Sequence, residues 1–351
     1  MILNRDNVSI NDQRLFLGPS LGLQRYDKFR YPVFFELFDR QLTLFWRPEE
    51  ISLQKDRVDY QSLEPHEKHI FTSNLLFQTL MDSVVGRGVD VFAKHISSPE
   101  LEACFKAWQF FETIHSYSYT YIIKNLYSNP SELLDQALLI PAISDRINSV
   151  CNSYEDLESA TQDNVKDRLY LALISVNILE AVRFYVSFVC AFAFAENKKM
   201  IGNADIIKLI KRDESVHLYI TQSILNILNK NEDEGFFETI EKNRETAINM
   251  FLMAAEEEKA WARYLFKDGS ILGLNDKLLS NYIEWLTDSR MSMIGLPKQF
   301  NTKNNGLGSW ITAWMESSTV QVAPQESEVT SYRISAGKND IDKLDFNGME
   351  L

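Results

Sequence analysis

The chain has 351 residues, 45% hydrophobic and 24% charged, which suits a globular protein with one large core or two average domains. Its formal net charge of −13 and pI near 5.0 argue against nucleic-acid binding, which calls for a basic face. Three widely spaced cysteines, Cys104, Cys151 and Cys190, form no C-x-x-C pair; they exclude a disulfide framework or thiolate zinc site and read as buried, reduced thiols.

In chain order, the opening MILNRDNVSI has no apolar stretch of the signal-peptide kind. The longest apolar run, residues 184–195, is too short to cross a bilayer and is interrupted by Ser187. Both observations point to the cytoplasm and to no membrane. Hydrophobic spacing predicts helices over residues 31–45, 64–88, 98–127, 164–196, 203–229, 234–266 and 275–294, with short helices or loops over 130–155 and 305–318. Pro65 suits a first turn. Gly86 and Gly88 read as the end of that helix. Asn129-Pro130 closes the next, and Asp163 or Asn164 can cap the one after. Acidic runs such as Glu256-Glu257-Glu258 read as solvated helix faces. No useful strand alternation appears, so the expectation is an all-α bundle within residues 1–318. Residues 319–351 are polar and lack sustained helical period, as a mobile tail would. The spaced Leu344, Phe346, Met349 and Leu351 leave two readings open: plain disorder, or a peptide that docks in a partner's groove.

Two E-x-x-H motifs carry the chemistry, Glu112–His115 and Glu214–His217. Positions i and i+3 share a helix face, ~4.5 Å apart along the axis, so one carboxylate and one imidazole can reach the same metal. Each motif is preceded by an acidic residue in an apolar helical segment: Asp82, in LLFQTLMDSVV, stands 30 residues before Glu112, and Glu180 stands 34 before Glu214. Any one of these is explicable as a satisfied core polar group. Together, two hairpins of this kind make a four-helix core with four carboxylates and two histidines pointing inward, the ligand set of ferritin-like di-iron and di-manganese proteins. Two divalent ions would balance the four negative charges that an apolar interior otherwise penalises. In FETIHSYSYTYI, Tyr119 falls ~40° from His115 and ~20° from Glu112 around the helix. Tyr117 and Tyr121 fall to the other side. Tyr119 is therefore the tyrosine on the metal face, open to one-electron oxidation or to a plain core role.

Around these residues the sequence resembles the small subunit of class I ribonucleotide reductase, most closely the class Ia form of enterobacteria and T-even phages. The resemblance runs from about Phe16 to the C-terminus, on FWRPEE (45–50), EPHEKHIF (64–71), QTLMDS (78–83), ETIHSYSYT (112–120), NILEAVRFYVSF (177–188), RDESVHL (212–218) and VQVAPQESEVTSY (320–332). It implies that Asp82, Glu112 and His115 hold one metal and Glu180, Glu214 and His217 the other, with Glu112 and Glu214 bridging. Two irons are implied, and manganese suits the same ligands. Tyr119 would carry a stable radical, shielded by Phe184, Phe188 and Ile210, with Trp108 near the metals. Trp46 and Asp213 would continue an electron route toward the surface. Tyr332, aided by Glu326, would relay the radical to a separate large subunit, which the extreme C-terminus docks and which reduces the ribonucleotide. A homodimer is implied as well.

The sequence departs from that pattern at Tyr117, where arginine is usual, at Tyr121, where histidine is usual, and at Phe111, where a small residue is common. The stretch between about 128 and 165 is shorter than in the enterobacterial relatives. No ligand position is lost. Competing readings are a ferritin-like oxidase or acyl desaturase, which has no use for Tyr119 together with a Tyr332 tail, a metal-storage protein, and a helical scaffold without metal.

Overall fold

The computed structural model describes residues 4–315 apart from 7 and 20. Among them, helices dominate, with isolated β-bridges joining Phe16 to Ile96 and Ile271 to Leu274. The helices are α1 (Pro32–Thr43), α2 (Gln54–Ser62), α3 (Pro65–Ala93), α4 (Pro99–Leu126), α5 (Pro130–Gln136), α6 (Pro141–Glu158), α7 (Val165–Ile178), α8 (Tyr185–Glu196), α9 (Ile201–Lys230), α10 (Phe237–Leu265), α11 (Asp276–Met293) and α12 (Ser309–Met315). A π-helical segment, Leu179–Arg183, joins α7 to α8.

Local chemistry sets the long helices. Proline occupies the first turn of α3 and of α4, where its missing N–H costs nothing. Glu64 and Glu67 close a reciprocal capping box on α3, and the Ser98 hydroxyl accepts from Leu101 N on α4. The α3–α4 pair packs against α8 and α9, and α1, α6, α10 and α11 flank this core. The span Val165–Glu196 is long and apolar enough to cross a membrane, yet its most apolar stretch is wholly buried. It is a core element, hydrophobic on every side because protein surrounds it.

Several expectations need correction. Gly86 and Gly88 do not end α3, which runs on to Ala93; Gly88 is there because a Cβ would stand 2.2 Å from the Tyr154 ring. Residues 141–158 form a full helix, and α2 was not anticipated because QKDRVDYQS carries little apolar period. Asn164 stands at the start of α7 without capping it, its side chain accepting from Thr161 N instead. Glu256-Glu257-Glu258 is not a solvated face: Glu258 is fully buried and Glu257 pairs with Arg183 at 2.6 Å. Cys104 and Cys190 are buried as expected, whereas Cys151 is half-buried; all three are free thiols.

Candidate metal centre

Each of the four core helical elements delivers part of one cluster. Asp82 comes from the middle of α3, Glu112 and His115 from α4, Glu180 from the π segment, and Glu214 and His217 from α9. All six side chains are buried, none more than 1% exposed. Their ligating atoms fall into two groups, each lying mutually within 4.8 Å: Asp82, Glu112, His115 and Glu214, and then Glu112, Glu180, Glu214 and His217. Glu112 and Glu214 belong to both, as bridging carboxylates would. The π segment matters here. Its wider turn changes which way successive side chains face, and such interruptions concentrate at functional sites.

The cluster suits a pair of metal ions. Both oxygens of Asp82 and of Glu180, one oxygen each of Glu112 and Glu214, and one nitrogen of each histidine are buried with no hydrogen-bond partner. A protein interior does not carry so many orphaned charges unless a cation meets them. His115 Nδ1 lies 3.2 Å from Glu214 Oε1, and His217 Nδ1 lies 3.1 Å from Glu112 Oε1 and 3.0 Å from Glu214 Oε2. Both Nδ1 atoms therefore face the carboxylates. Carboxylate and imidazole without thiolate is a donor set for iron or manganese.

Charge crowding shows in the proton affinities. Burial, then the charges of Glu112 and Glu214, push the Asp82 carboxyl well up. Burial and Glu214 do the same to Glu180. Burial would raise Glu214 too, but the facing Glu180 carboxyl and the charge of His115 hold it below the carboxylate range. Burial alone would lower the imidazoles, yet the surrounding carboxylates raise both His115 and His217. Crowding of this kind favours proton uptake wherever no cation balances the carboxylates.

Around the cluster, Trp108 donates from Nε1 to Glu112 Oε1 at 2.8 Å and stacks on His217 with ring centroids 5.2 Å apart. Trp46, 1% exposed, donates from Nε1 to Asp213 Oδ2 at 2.7 Å. The same oxygen lies 3.3 Å from His115 Nε2. The other Asp213 oxygen accepts from Arg212. Trp46, Asp213 and His115 thus form one bonded chain into the cluster. Tyr119 is fully buried, and its hydroxyl faces Asp82 without completing a hydrogen bond. Burial, then the charges of Asp82, Glu214 and Glu112, disfavour its phenolate strongly. Phe184, Phe188 and Ile210 are fully buried in the same core, the two rings stacked at 5.8 Å. Tyr117 is half exposed and donates to Glu49, and Tyr121 donates to Ile51 O at 3.0 Å; both point away from the cluster, as the helical spacing predicts. Tyr332, Glu326 and the tail of residues 319–351 lie outside the described residues.

The sequence reading missed Tyr154 of α6. It is buried, its hydroxyl has no partner, and burial followed by the charges of Glu180 and Glu112 raises its proton affinity. The signal was present in the apolar spacing of Ile143, Ile147, Val150, Tyr154 and Leu157, all buried on one face of α6.

Comparison with known proteins agrees with this geometry. The family profile for "Ribonucleotide reductase, small chain" matches residues 24–305. A ribonucleoside-diphosphate reductase subunit beta from Buchnera aphidicola subsp. Schizaphis graminum is 46% identical over 360 aligned positions, covering 96% of each chain. Subunit beta of reductase 1 from Escherichia coli O157:H7 is 43% identical, covering 97% of each. The ribonucleotide reductase R2 subunit of Clostridium botulinum superposes with a TM-score of 0.81 at 26% identity, over 90% of this chain and 98% of that one. None of these favours the oxidase, desaturase or storage readings. With a two-carboxylate hairpin repeated around one buried cluster and reductase subunits matched end to end, this chain belongs to the ribonucleotide reductase small-chain family.

Proposed function

We propose that this chain generates and stores the oxidising equivalent for ribonucleotide reduction, as a tyrosyl radical on Tyr119 beside a dinuclear metal site, and passes it to a large subunit. The observation that carries the proposal is the burial of six ligating side chains with orphaned atoms around Tyr119. Asp82, Glu112 and His115 would hold one ion and Glu180, Glu214 and His217 the other, with Glu112 and Glu214 placed to serve both. The class Ia likeness favours two irons over manganese. Once bound and exposed to oxygen, such a pair supplies a strong one-electron oxidant.

The chain's own residues do the rest. Asp213 fixes the His115 tautomer by accepting from Nε2, leaving Nδ1 for the metal. Tyr119 gives up one electron and its Oη proton, and Asp82 faces that proton. Phe184, Phe188 and Ile210, buried in the same core, keep water and reductants from the neutral radical. Trp46 and Asp213 carry the electron between the cluster and the outside of the bundle. Tyr332, with Glu326, completes the transfer in the tail, whose last residues dock the large subunit, while residues 1–318 act as the metal domain. The chain works as a cytoplasmic homodimer; the exposed pair Phe45 and Phe110, stacked at 6.1 Å, offers the kind of apolar patch that subunit contacts use.

Loading the metal-free chain with Fe(II) in air and recording its electron paramagnetic resonance spectrum tests this. A tyrosyl doublet is expected, and its loss in Tyr119→Phe with metal content unchanged. A doublet that survives Tyr119→Phe would refute the radical assignment. Tyr332→Phe is expected to keep the doublet and abolish turnover with the large subunit.

A further inference from the structure

Glu180 stands apart from the other carboxylates of the cluster. It alone is carried by the π segment Leu179–Arg183, where the regular helical ladder is interrupted, and like Asp82 it has no hydrogen-bond partner at either oxygen. Nothing within its own helix holds it in place. The last residue of the segment, Arg183, is buried and gripped from two sides. Its Nη1 donates to Glu257 Oε2 of α10 at 2.6 Å and its Nη2 to Ser149 Oγ of α6 at 2.9 Å. Its carbonyl in turn accepts from Arg146 Nη2 of α6 at 3.4 Å.

Arg146 is itself unusual. It is 4% exposed and pairs through Nη2 with the fully buried Glu258 of α10. Its guanidinium carbon sits 3.6 Å from the Phe77 ring centroid on α3 and 4.6 Å from that of Trp261 on α10. A buried ion pair seldom adds stability over apolar residues of the same volume, and its best-attested use is to fix one arrangement among several. Here the arrangement it touches is the backbone of the segment that carries Glu180.

We infer that Arg146–Glu258 and Arg183–Glu257 form a two-arginine clasp that positions Glu180 for the second metal. The clasp ties the π segment to α6 and α10 at the residue three places after Glu180, so the segment cannot slide back into α-helical register. Such a slip, by one residue, would rotate Glu180 by about 100° and withdraw its carboxylate from the cluster. Arg146 and Arg183 are positioning residues; neither reaches the ligating atoms. The inference rests on the reading of Glu180 as a metal ligand.

The test uses Co(II) alone, titrated anaerobically into the full-length metal-free chain, with bound metal counted and the visible ligand-field spectrum recorded. Wild type is expected to bind two ions per chain. Arg146→Met combined with Glu258→Leu replaces the pair by apolar side chains. It should keep its circular dichroism, bind one ion as wild type does, and bind the second about 10- to 100-fold more weakly with a shifted spectrum, the scale seen when the support of a ligand is removed. Arg183→Met is the second variant, since Glu257 retains contact with solvent and the chain should fold if the double variant does not. Glu180→Ala is the control. If Glu180→Ala leaves both ions bound as in wild type, the ligand assignment is wrong. If Glu180→Ala weakens the second ion while a folded clasp variant binds both with wild-type affinity and spectrum, the clasp is overturned and the ligand assignment stands.

Discussion

Two glycines two residues apart in α3 should respond oppositely to the same change. Alanine in place of glycine within a helix gains roughly 0.5–1 kcal/mol, because glycine loses more backbone freedom on folding. At Gly86 the new Cβ would meet Glu112 Cβ at 3.5 Å, an ordinary contact, so Gly86→Ala should collect that gain. At Gly88 the new Cβ would stand 2.2, 2.4 and 2.6 Å from three carbons of the Tyr154 ring, against about 3.5–4.0 Å for carbons in contact. The ring must retreat by more than about 1 Å, and Phe92 stands edge-on to it with centroids 6.1 Å apart. Overpacking of this kind costs roughly 1–3 kcal/mol. The helical gain is common to both variants, so the gap between them, about 1–3 kcal/mol, measures the strain at Tyr154 directly. Urea unfolding of the two metal-free variants, followed by circular dichroism, gives that gap. Equal stabilities within about 0.5 kcal/mol would show that Tyr154 does not pin the α3–α6 contact and that Gly88 is not required by close approach.

Other perturbations bear on the cluster. Asp82, Glu180, His115 and His217 all bind protons more tightly in the folded, metal-free chain than their ordinary values allow. Groups raised in this way stabilise the fold at low pH and lose that contribution as pH rises through the folded value. Glu214 is held low and acts oppositely, but only below the carboxylate range. Metal-free protein should therefore melt at lower temperature as pH rises from about 5 to 8, and bound metal should remove the trend; a metal-free melting temperature that climbs over that range would contradict the protonated cluster. Asp213→Asn keeps one acceptor and puts an NH2 group either against both Trp46 and His115, which share Oδ2, or against Arg212 at Oδ1. It should weaken the ion at His115 by about 10- to 100-fold, read by Mn(II) titration, and unchanged binding would show that Asp213 does not orient the imidazole.

The parts of the fold that could be read in advance were those with strong periodicity. α3 and the two E-x-x-H helices carry apolar residues every three or four positions, so Asp82, Glu112, His115, Glu214 and His217 could be placed on facing surfaces before any coordinates, whereas Glu180 stood out as an acid in a span that is apolar all round. Helical spacing likewise separated Tyr119 from Tyr117 and Tyr121. What stayed hidden depended on neighbours distant in sequence. Gly86 and Gly88 look like a helix end until Tyr154 is seen lying against Gly88. Glu258 looks solvated until Arg146, 112 residues away, is found beside it. The π segment interrupts an apolar run with no proline or glycine to announce it. The Trp46–Asp213 bond joins residues 167 apart, and only the family resemblance suggested it.

The span Val165–Glu196, whose most apolar stretch is wholly buried, has a consequence for how the chain is made. Much of what covers it, α9, α10 and α11, follows it in the sequence and ends near Met293. At roughly 5–20 residues per second of synthesis, that cover arrives about 5–20 s after the span has left the ribosome. For that interval a stretch with the hydropathy of a membrane segment stands unburied. Nascent chains of this protein should therefore lean on chaperones that bind exposed apolar segments at the ribosome, and truncations that stop between residues 200 and 290 should aggregate or be drawn to membranes although the finished chain packs the same stretch in its core.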